Sequence, residues 1–545
     1  MIGRLQLREL QDLIGVEVLE HLERVIPFVP NSGIDHPNDI YEKKSLERIF
    51  FAFSGQDALS ERDFRKLLLS RLNQQELSRL ASDLGMDPEA NFRGLVERIS
   101  ALPWSDNAHS AIIADNLRIP RAFVPVAPEA PPDRETVRNP DNPFKSLKDF
   151  QVSVFNNAKG RLQYPLQKML IQMPTGSGKT RTAMEIICTF LNENQGRSVI
   201  WLANSEELCE QAIESFREVW SHIGLFKIDL IRAFGPHGLA IPERASFIVG
   251  GFAKVHSAFK RDKELPGELS ARIGMIIVDE AHQVVAPTYH NVVRQLLLKN
   301  HQVHLIGLTA TPGRSDPSGE ETGELIHFFS GNRIEIASGE ESTIQFLKKR
   351  KVLAQVEREP LITNIRYELT AGEKSYIAAH FDFPKSFLDR VSANDLRNIE
   401  ILKRLRSECT RNKKILFFAG SVEQSKFICA LLTFLGYQAE HVDGATRKDR
   451  RRNLIERFKY GDLNVICNYG VLTTGFDAPQ TDVVFIARPT LSIVLYSQMI
   501  GRGLRGPAIG GKEKCTLIEV IDDMGDLGRV DDLFDYFNSY WDSYE

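Results

Sequence analysis

Cysteine is scarce and scattered in this chain. Its 545 residues include six cysteines, and none of them forms a CxxC pair: Cys188, Cys209, Cys409, Cys429, Cys467 and Cys515. Several lie inside apolar runs, which is typical of reduced thiols in the core of an intracellular protein. We therefore expect neither a disulfide framework nor a cysteine zinc site.

Long apolar runs and an excess of one charge are also missing. No apolar stretch reaches the length of a membrane-spanning helix, and the N-terminus is charged too early for a secretory signal. We therefore expect a cytoplasmic protein with no membrane partner. The net charge of −4 argues against a generally basic surface. Any nucleic acid would then bind in a local channel.

The first part of the chain is predicted to be helical, followed by a linker. Residues 1–105 carry apolar side chains at helical spacing and form a predicted accessory domain whose role stays open. Within it, 76–86 and 92–99 faintly resemble the two helices of SAP-type DNA-binding modules, but a small bundle for packing or docking fits better. Residues 106–141 are rich in proline and are predicted to form an extended linker.

The rest of the chain alternates strand-like apolar runs with helical stretches, which predicts two tandem α/β units with parallel sheets. The first unit covers 142–360 and the second 361–530. Strands are predicted at 169–173, 198–203, 247–250, 275–278 and 303–308, and then at 414–419, 465–467, 482–487 and 515–520. The tail, 531–545, mixes acidic and aromatic residues and is predicted to pack on its own domain as a helix or, alternatively, to dock a partner.

The stretch from Met169 to Thr180 indicates a nucleotide site. A buried strand is followed by a glycine-rich turn and a helix N-terminus, where backbone N–H groups and the helix dipole attract phosphate. Lys179 is predicted to reach the β- and γ-phosphates and Thr180 to bind Mg²⁺. The candidate cofactor-binding residues of the turn are Thr175, Gly176, Ser177, Gly178, Lys179 and Thr180. Met173 stands where the usual signature has glycine.

A second acidic element follows the apolar run Ile276–Val278. A buried strand that ends in Asp279 presents this carboxylate at the carboxyl edge of the sheet, where phosphate loops gather. We predict that Asp279 binds Mg²⁺ and that Glu280 orients or deprotonates the attacking water.

The ordered motifs resemble those of superfamily 2 DEAD/DEAH-box helicases. The DEAH box is 279–282, after a 147–151 segment similar to the adenine-reading glutamine motif and before Thr309-Ala-Thr-Pro312. In the second unit, 471–479 and 498–505 match two further motifs. Their details are closest to the branch with type III restriction subunits and UvrB-like and RecG-like enzymes.

The resemblance implies two RecA-like (P-loop NTPase) lobes with ATP and Mg²⁺ between them. It implies arginine fingers at Arg502 and Arg505, adenine recognition by Gln151, and a place near the nucleotide for Gly475 and Asp477. The implied coupling residues are His282, Thr309, Thr311 and Gln498, and the resemblance implies that Gln498 contacts His282 across the cleft. The implied contacts to a nucleic-acid backbone are Asn204, Ser205, Gly251, Gly420, Ser421, Thr473 and Thr474.

These implications predict an ATP-hydrolysing helicase or translocase, with DNA favoured over RNA, in repair, restriction or phage defence. An RNA helicase is one alternative, and a nucleotide-switched nucleic-acid clamp within a larger complex is another. No nuclease cluster is recognisable outside the motor, so cutting is assigned to a partner bound through the N-terminal domain or the tail. The basic run 447–452 is weak evidence for the channel, because such runs are more often solvated faces.

Overall fold

The structure is a computed structural model that describes residues 2–25, 27, 37–119, 123–125, 132–137, 146–165, 167–298, 302–310, 320–339, 343–380, 382–472, 478 and 480–524. An N-terminal group of helices precedes two sheets, each flanked by helices. The predicted fold class, two tandem parallel α/β domains after a small helical domain, is confirmed. None of the helices in the described ranges has the length and apolarity needed to cross a bilayer.

The N-terminal helices are short and several begin at polar caps. Asn73 and Asn91 accept hydrogen bonds from the N–H groups of Glu76 and Gly94, at 2.9 and 2.7 Å. The helices are α1 (Leu7–Ile14), α2 (Val16–Val25), α3 (Lys43–Ser54), α4 (Arg62–Leu69), α5 (Gln74–Asp83), α6 (Phe92–Ser100) and α7 (Ala108–Asn116).

The predicted linker 106–141 needs two corrections. Helix α7 lies within it, and Ile113 and Leu117 are buried in one apolar cluster with residues of α5 and α6, so the helical domain extends past residue 105. Strand β1 (Arg134–Val137) also lies within it and belongs to the first sheet. The prolines that motivated the prediction begin only at Pro120.

The first α/β unit, lobe one, contains the strands β2 (Lys168–Gln172), β3 (Ser198–Ala203), β4 (Ile228–Ala233), β5 (Ser246–Gly251), β6 (Ile273–Val278), β7 (His304–Thr309) and β8 (Arg333–Ile334). Its helices are α8 (Asp149–Leu162), α9 (Lys179–Glu193), α10 (Glu206–Ile223), α11 (Phe252–Arg261), α12 (Leu265–Arg272), α13 (Pro287–Leu298), α14 (Glu320–Phe328) and α15 (Thr343–Lys349). The strand order is β1-β4-β5-β3-β6-β7-β2-β8, with β1 antiparallel to β4 and the other pairs parallel. The central strands are buried on both faces, which explains their continuous apolar runs.

The second α/β unit, lobe two, contains β9 (Gln355–Arg366), β10 (Ile415–Phe418), β11 (Ala439–Val442), β12 (Val465–Asn468), β13 (Val483–Ile486) and β14 (Lys514–Asp523). Its helices are α16 (Ala371–His380), α17 (Lys385–Ser392), α18 (Asp395–Thr410), α19 (Val422–Phe434), α20 (Lys448–Tyr460) and α21 (Ile493–Ile500). The strand order is β11-β12-β10-β13-β14-β9, and every pair is parallel. Since β9 starts at Gln355, lobe two begins a few residues before the predicted boundary at 360.

The N-terminal helices pack directly on lobe two. Helix α3 lies against α19, and α2 lies against α18. The ring of His21 stacks on Phe427 with centroids 3.9 Å apart, and Nε of Arg24 donates to Oδ2 of Asp395 at 2.9 Å. Apolar residues of α1–α4 and of α18 and α19 form one continuous core, so these helices and lobe two form one body.

Candidate nucleotide site between the lobes

The glycine-rich turn lies between β2 and α9, at the carboxyl edge of the first sheet. Helix α9 begins at Lys179, and Gly176 and Gly178 have φ values of 85° and 87°. Residues with a Cβ rarely adopt this left-handed backbone, which explains both glycines. Ser177 is fully buried, and its hydroxyl donates to the carbonyl of Pro174 at 2.7 Å, so this side chain shapes the turn.

Met173, the departure from the usual signature, belongs to the core of lobe one. Its side chain is fully buried at the end of β2. Its backbone N–H donates to the carbonyl of Thr309 at 3.0 Å. The position therefore continues the sheet, and the anion-binding turn begins after it.

Gln151 of α8 holds the glycine-rich turn through a side-chain hydrogen bond. Its Nε2 donates to the carbonyl of Ser177 at 3.1 Å, and its Oε1 accepts from the N–H of Lys148 at 2.9 Å. A Cβ on Gly178 would lie 2.3 Å from Nε2 of Gln151. Among the described residues, these two contacts use one N–H and one lone pair of the amide, so its second N–H and second lone pair are the groups with which it would read a base. Adenine recognition by Gln151 stays a prediction, to which the structure adds a role in positioning the turn.

Asp279 and Glu280 follow β6 and face Lys179. Nζ of Lys179 lies 4.0 Å from Oδ1 of Asp279 and 3.5 Å from Oε1 of Glu280. Glu280 has a left-handed backbone, with φ of 48°. Such strain costs roughly 1–3 kcal/mol and is concentrated at functional sites. The two distances show that the predicted acidic pair lies beside the predicted phosphate-binding lysine.

The surroundings of Asp279 and Glu280 shift the pKa values of the two carboxyl groups in opposite directions. Burial raises the pKa of Asp279 to about 6, although Lys179 acts in the opposite direction. Burial also pushes the pKa of Glu280 upward, but Lys179, His282 and Arg502 outweigh it and hold this pKa below its ordinary value. Glu280 is therefore ionised at neutral pH, as a general base must be.

His282 connects the acidic pair to the end of β7. Its Nδ1 lies 3.2 Å from Oγ1 of Thr309 and 3.5 Å from Oε2 of Glu280. Two of the predicted coupling residues, His282 and Thr309, are thus brought together in a buried contact. Thr311 lies outside the described residues.

Both lobes line one cavity of about 660 Å³. The predicted site residues in its wall are Gln151, Thr175, Gly176, Gly178, Lys179, Thr180, Asp279, Glu280, Gln498, Arg502 and Arg505. Cγ of Arg505 lies 3.6 Å from the position of a Cβ on Gly176, so lobe two reaches the phosphate turn. The predicted contact between Gln498 and His282 stays a prediction.

The oxygen donors of Thr180 and Asp279 fit Mg²⁺. Both residues line the cavity, and a hydroxyl and a carboxylate are ligands that hard cations prefer. Within the described part of the chain, no group of three or more His, Cys, Asp or Glu side chains could hold a metal ion.

The nucleic-acid candidates of lobe one lie at the carboxyl edge of the first sheet. Asn204 and Ser205 follow β3, and Gly251 ends β5. Nδ2 of Asn204 donates to Oε1 of Gln283 at 2.9 Å. The hydroxyl of Ser205 caps α10, with the N–H of Leu208 at 3.3 Å.

The nucleic-acid candidates of lobe two that the structure describes are Gly420 and Ser421, which lie between β10 and α19. Gly420 and Ser421 are buried, and Oγ of Ser421 accepts from the N–H of Gln424 at 3.0 Å as the cap of α19. A Cβ on Gly420 would lie 2.4 Å from Oγ of Ser392 in α17. Gly420 therefore packs closely against α17 and Ser421 caps α19, and their contact with a nucleic-acid backbone stays a prediction. Thr473, Thr474, Gly475 and Asp477 lie outside the described residues.

Two features that connect the lobes had no signal in the sequence. Arg451 of α20 forms an ion pair with Glu207 of α10, and Arg450 and Arg452 pair with Glu440 and Glu456. Three of the five basic residues of this run therefore have acidic partners. The second feature is a short turn of lobe two, Pro507–Ile509, whose Ala508 and Ile509 line the cavity.

Two family models match the sequence. Residues 144–314 match the family described as type III restriction enzyme, res subunit, and residues 397–506 match the helicase conserved C-terminal domain. The first match contains the phosphate turn and the 279–282 box, and the second contains Arg502 and Arg505. The chain is a superfamily 2 helicase of the restriction-subunit branch. The predicted family and the predicted class, ATP-hydrolysing helicases, are confirmed.

Curated relatives agree with this placement. A 51.5 kDa protein of a Lactococcus phage is 26% identical over 68% of this helicase and 70% of its own length. IRC3 of Saccharomyces cerevisiae, described as a candidate ATP-dependent helicase, is 23% identical over 69% of this helicase and 51% of IRC3. The type I restriction enzyme EcoKI endonuclease subunit of Escherichia coli K12 is 24% identical, over 72% of this helicase and 36% of that subunit. This helicase therefore spans about half or less of the last two relatives.

A solved structure supports the architecture. The DUF1998 helicase MrfA bound to DNA matches with a TM-score of 0.51 and 13% identity, over 74% of this helicase and 56% of MrfA. At this identity the match shows the fold alone, which is the two-lobed fold described above.

Proposed function

We propose that this helicase is an ATP-driven DNA motor that hydrolyses ATP between its lobes and thereby moves along DNA or separates its strands. The observation that carries the proposal is the shared cavity, where Lys179, Asp279 and Glu280 of lobe one meet Arg502 and Arg505 of lobe two. Because the reactive groups come from both lobes, a change in lobe separation changes the chemistry, and hydrolysis changes the lobe separation.

Each side chain in the cavity has a distinct task in this proposal. The turn amides and Lys179 bind the phosphates. Thr180 and Asp279 would hold Mg²⁺, which neutralises charge on the β- and γ-phosphates when bound. Glu280, ionised at neutral pH, orients the water and accepts its proton. Arg502 and Arg505 stabilise the charge that develops during transfer.

DNA is the favoured track, in repair, restriction or phage defence. The match to a restriction-enzyme family and the similarity to the EcoKI subunit support this choice. The track would pass Asn204, Ser205 and Gly251 at the carboxyl edge of the first sheet and continue past Thr473 and Thr474 in lobe two. Such contacts reach the phosphate backbone, so binding should be sequence-tolerant and salt-sensitive. Any cutting would come from a partner subunit.

The test is ATP hydrolysis with single-stranded DNA, double-stranded DNA and RNA at low and moderate salt, together with strand displacement. Stimulation by DNA above that by RNA is the expected result. Stronger stimulation of ATP hydrolysis by RNA would show that RNA is the substrate. Nucleic-acid binding without ATP hydrolysis would indicate a clamp and contradict the proposed motor. Lys179→Ala should lose tight ATP binding, whereas the surface variant Lys159→Ala on α8 should keep it.

A further inference from the structure

The short turn Pro507–Ile509 brings apolar side chains of lobe two into the nucleotide cavity. Ala508 and Ile509 line the cavity together with the polar Ser146, Lys148 and Gln151 of lobe one. Ile509 is half-buried and packs against an apolar cluster that consists mostly of lobe-one residues. The turn thus reaches across the cleft.

Backbone and side-chain contacts place this turn near the start of α8. The N–H of Ala508 donates to the carbonyl of Lys351 at 3.0 Å. The neighbouring Arg350 pairs with Asp149 at 3.1 Å, at the start of α8, next to Lys148 and Gln151. Lys179, Asp279 and Glu280 mark the phosphate end, so the end shared by Ile509 and the start of α8 is the place for the base.

The turn is held rigidly. The N–H of Gly506 donates to the carbonyl of Val352 at 2.8 Å, and that of Gly511 donates to the carbonyl of Gly506 at 2.9 Å. A Cβ on Gly506 would lie 2.2 Å from the carbonyl oxygen of Lys351, and one on Gly511 would lie 2.0 Å from that of Arg505. The backbone is therefore packed too tightly for another course, and Ile509 is fixed relative to Arg505.

We propose that Ile509 supplies the lobe-two face of the base site, an inference that rests on the proposed ATP hydrolysis. Its apolar side chain covers one face of the purine ring and strengthens binding by removing that surface from water. Because Arg505 and Ile509 belong to one rigid segment, a bound base holds the segment against lobe one and brings the arginine to the phosphates.

Isoleucine has no side-chain hydrogen-bonding group, so it contacts purines without distinguishing them. Ile509→Ala should leave the ratio of ATP to GTP affinity unchanged, whereas Gln151→Ala should change it if Gln151 reads the base edge. The two residues thus have separable effects on one base.

The experiment compares wild type, Ile509→Ala, Ile509→Leu and Pro507→Ala in the full chain. Pro507 is the matched control, since it is exposed in the same turn and does not line the cavity. Affinities for ADP and inorganic tripolyphosphate are measured by calorimetry, with KM and kcat for ATP. Ile509→Ala should weaken ADP binding and raise KM by about tenfold, the size expected for losing most of one apolar contact. Tripolyphosphate binding should not change, Ile509→Leu should restore affinity, and Pro507→Ala should match wild type.

Two outcomes would overturn the inference: unchanged ADP affinity in Ile509→Ala, or an equal loss for tripolyphosphate, which would place the defect at the phosphate end. Failure of the proposed function has a different readout, because the wild-type protein would then not hydrolyse ATP. Direct ADP binding tests Ile509 in either case.

Discussion

Nζ of Lys179 lies 3.5 Å from Oε1 of Glu280, so the start of α9 lies beside the second residue after β6. In the first sheet only β7 separates β2 from β6, and all three strands are parallel. Their carboxyl ends therefore open at one edge, and motifs far apart in sequence meet there. This geometry supports the predictions that follow.

Gly178→Ala should weaken nucleotide binding sharply. The backbone φ of 87° is unfavourable for alanine, and the new Cβ would lie 2.3 Å from Nε2 of Gln151. A strained backbone of this kind costs roughly 1–3 kcal/mol. ADP titration and urea unfolding measure the two effects. Gly160→Ala in α8 is the matched control, because its Cβ meets nothing within 4 Å and should be neutral or stabilising. Normal ADP binding by Gly178→Ala would show that the turn is not held as described.

Arg505→Ala should reduce kcat by about 10³ or more, the range for loss of an arginine that stabilises phosphoryl transfer. ADP affinity should fall much less, because the arginine acts mainly on charge that develops during transfer. Steady-state hydrolysis and calorimetry separate the two quantities. The control is Arg452→Ala, whose side chain is 77% exposed on α20. Equal kcat values for both variants would remove Arg505 from the proposed chemistry.

Phe427→Ala should loosen the N-terminal helices from lobe two. Phe427 is 5% exposed and stacks on His21, so its loss leaves a cavity between α2 and α19. Truncation of a buried phenylalanine typically costs about 3–5 kcal/mol. Hydrogen exchange should become faster in α2, whereas Leu396→Ala, at a position 65% exposed, should leave it unchanged. Unaltered exchange in Phe427→Ala would mean that the helices are held elsewhere.

His304 should make lobe one less stable as the pH falls below 6.5. Burial lowers the pKa of His304, and the N–H of Gln167 donates to its Nδ1 at 3.3 Å, which requires an unprotonated nitrogen. The unfolded chain takes up the proton first, near pH 6.5. The contribution of His304 to the free energy of unfolding is therefore complete above pH 6.5. It declines as the pH falls toward the pKa of His304 in the folded state.

His304→Asn provides the comparison, because asparagine offers an acceptor oxygen and does not titrate. Its urea midpoint should fall less between pH 8 and pH 5.5 than that of wild type. Parallel pH profiles for the two proteins would assign the dependence to other groups.

The sequence was most informative where the chain is buried on both faces. The runs at 169–173 and 275–278 lie in central strands, and their apolar character revealed both the strands and the residues that follow them. Strand β4 was missed because Asp229 and Arg232 interrupt its apolar run, although each is buried beside an opposite charge, Arg244 and Glu135. The edge strand β9 was missed because its residues are polar and partly exposed.

Relationships between distant segments left no local signal. Gln151 was predicted to read adenine, and nothing in its neighbourhood indicated that its amide would hold the carbonyl of Ser177. Ser421 was predicted to contact nucleic acid, and the sequence did not indicate that its hydroxyl would also cap α19. No local sequence pattern indicated that Ile509 lines the cavity, because its position there depends on how the two lobes pack against each other.

The most direct measurement is ATP hydrolysis by wild type and Glu280→Gln, with and without DNA, alongside the ATP and DNA affinities of both. Glu280→Gln should keep both affinities and lose turnover by roughly 10²–10⁴, the usual contribution of a positioned base. Glu456→Gln, on the exposed face of α20, should hydrolyse ATP at the wild-type rate. Wild-type hydrolysis by Glu280→Gln would refute Glu280 as the base and, with it, the proposed reaction between the lobes.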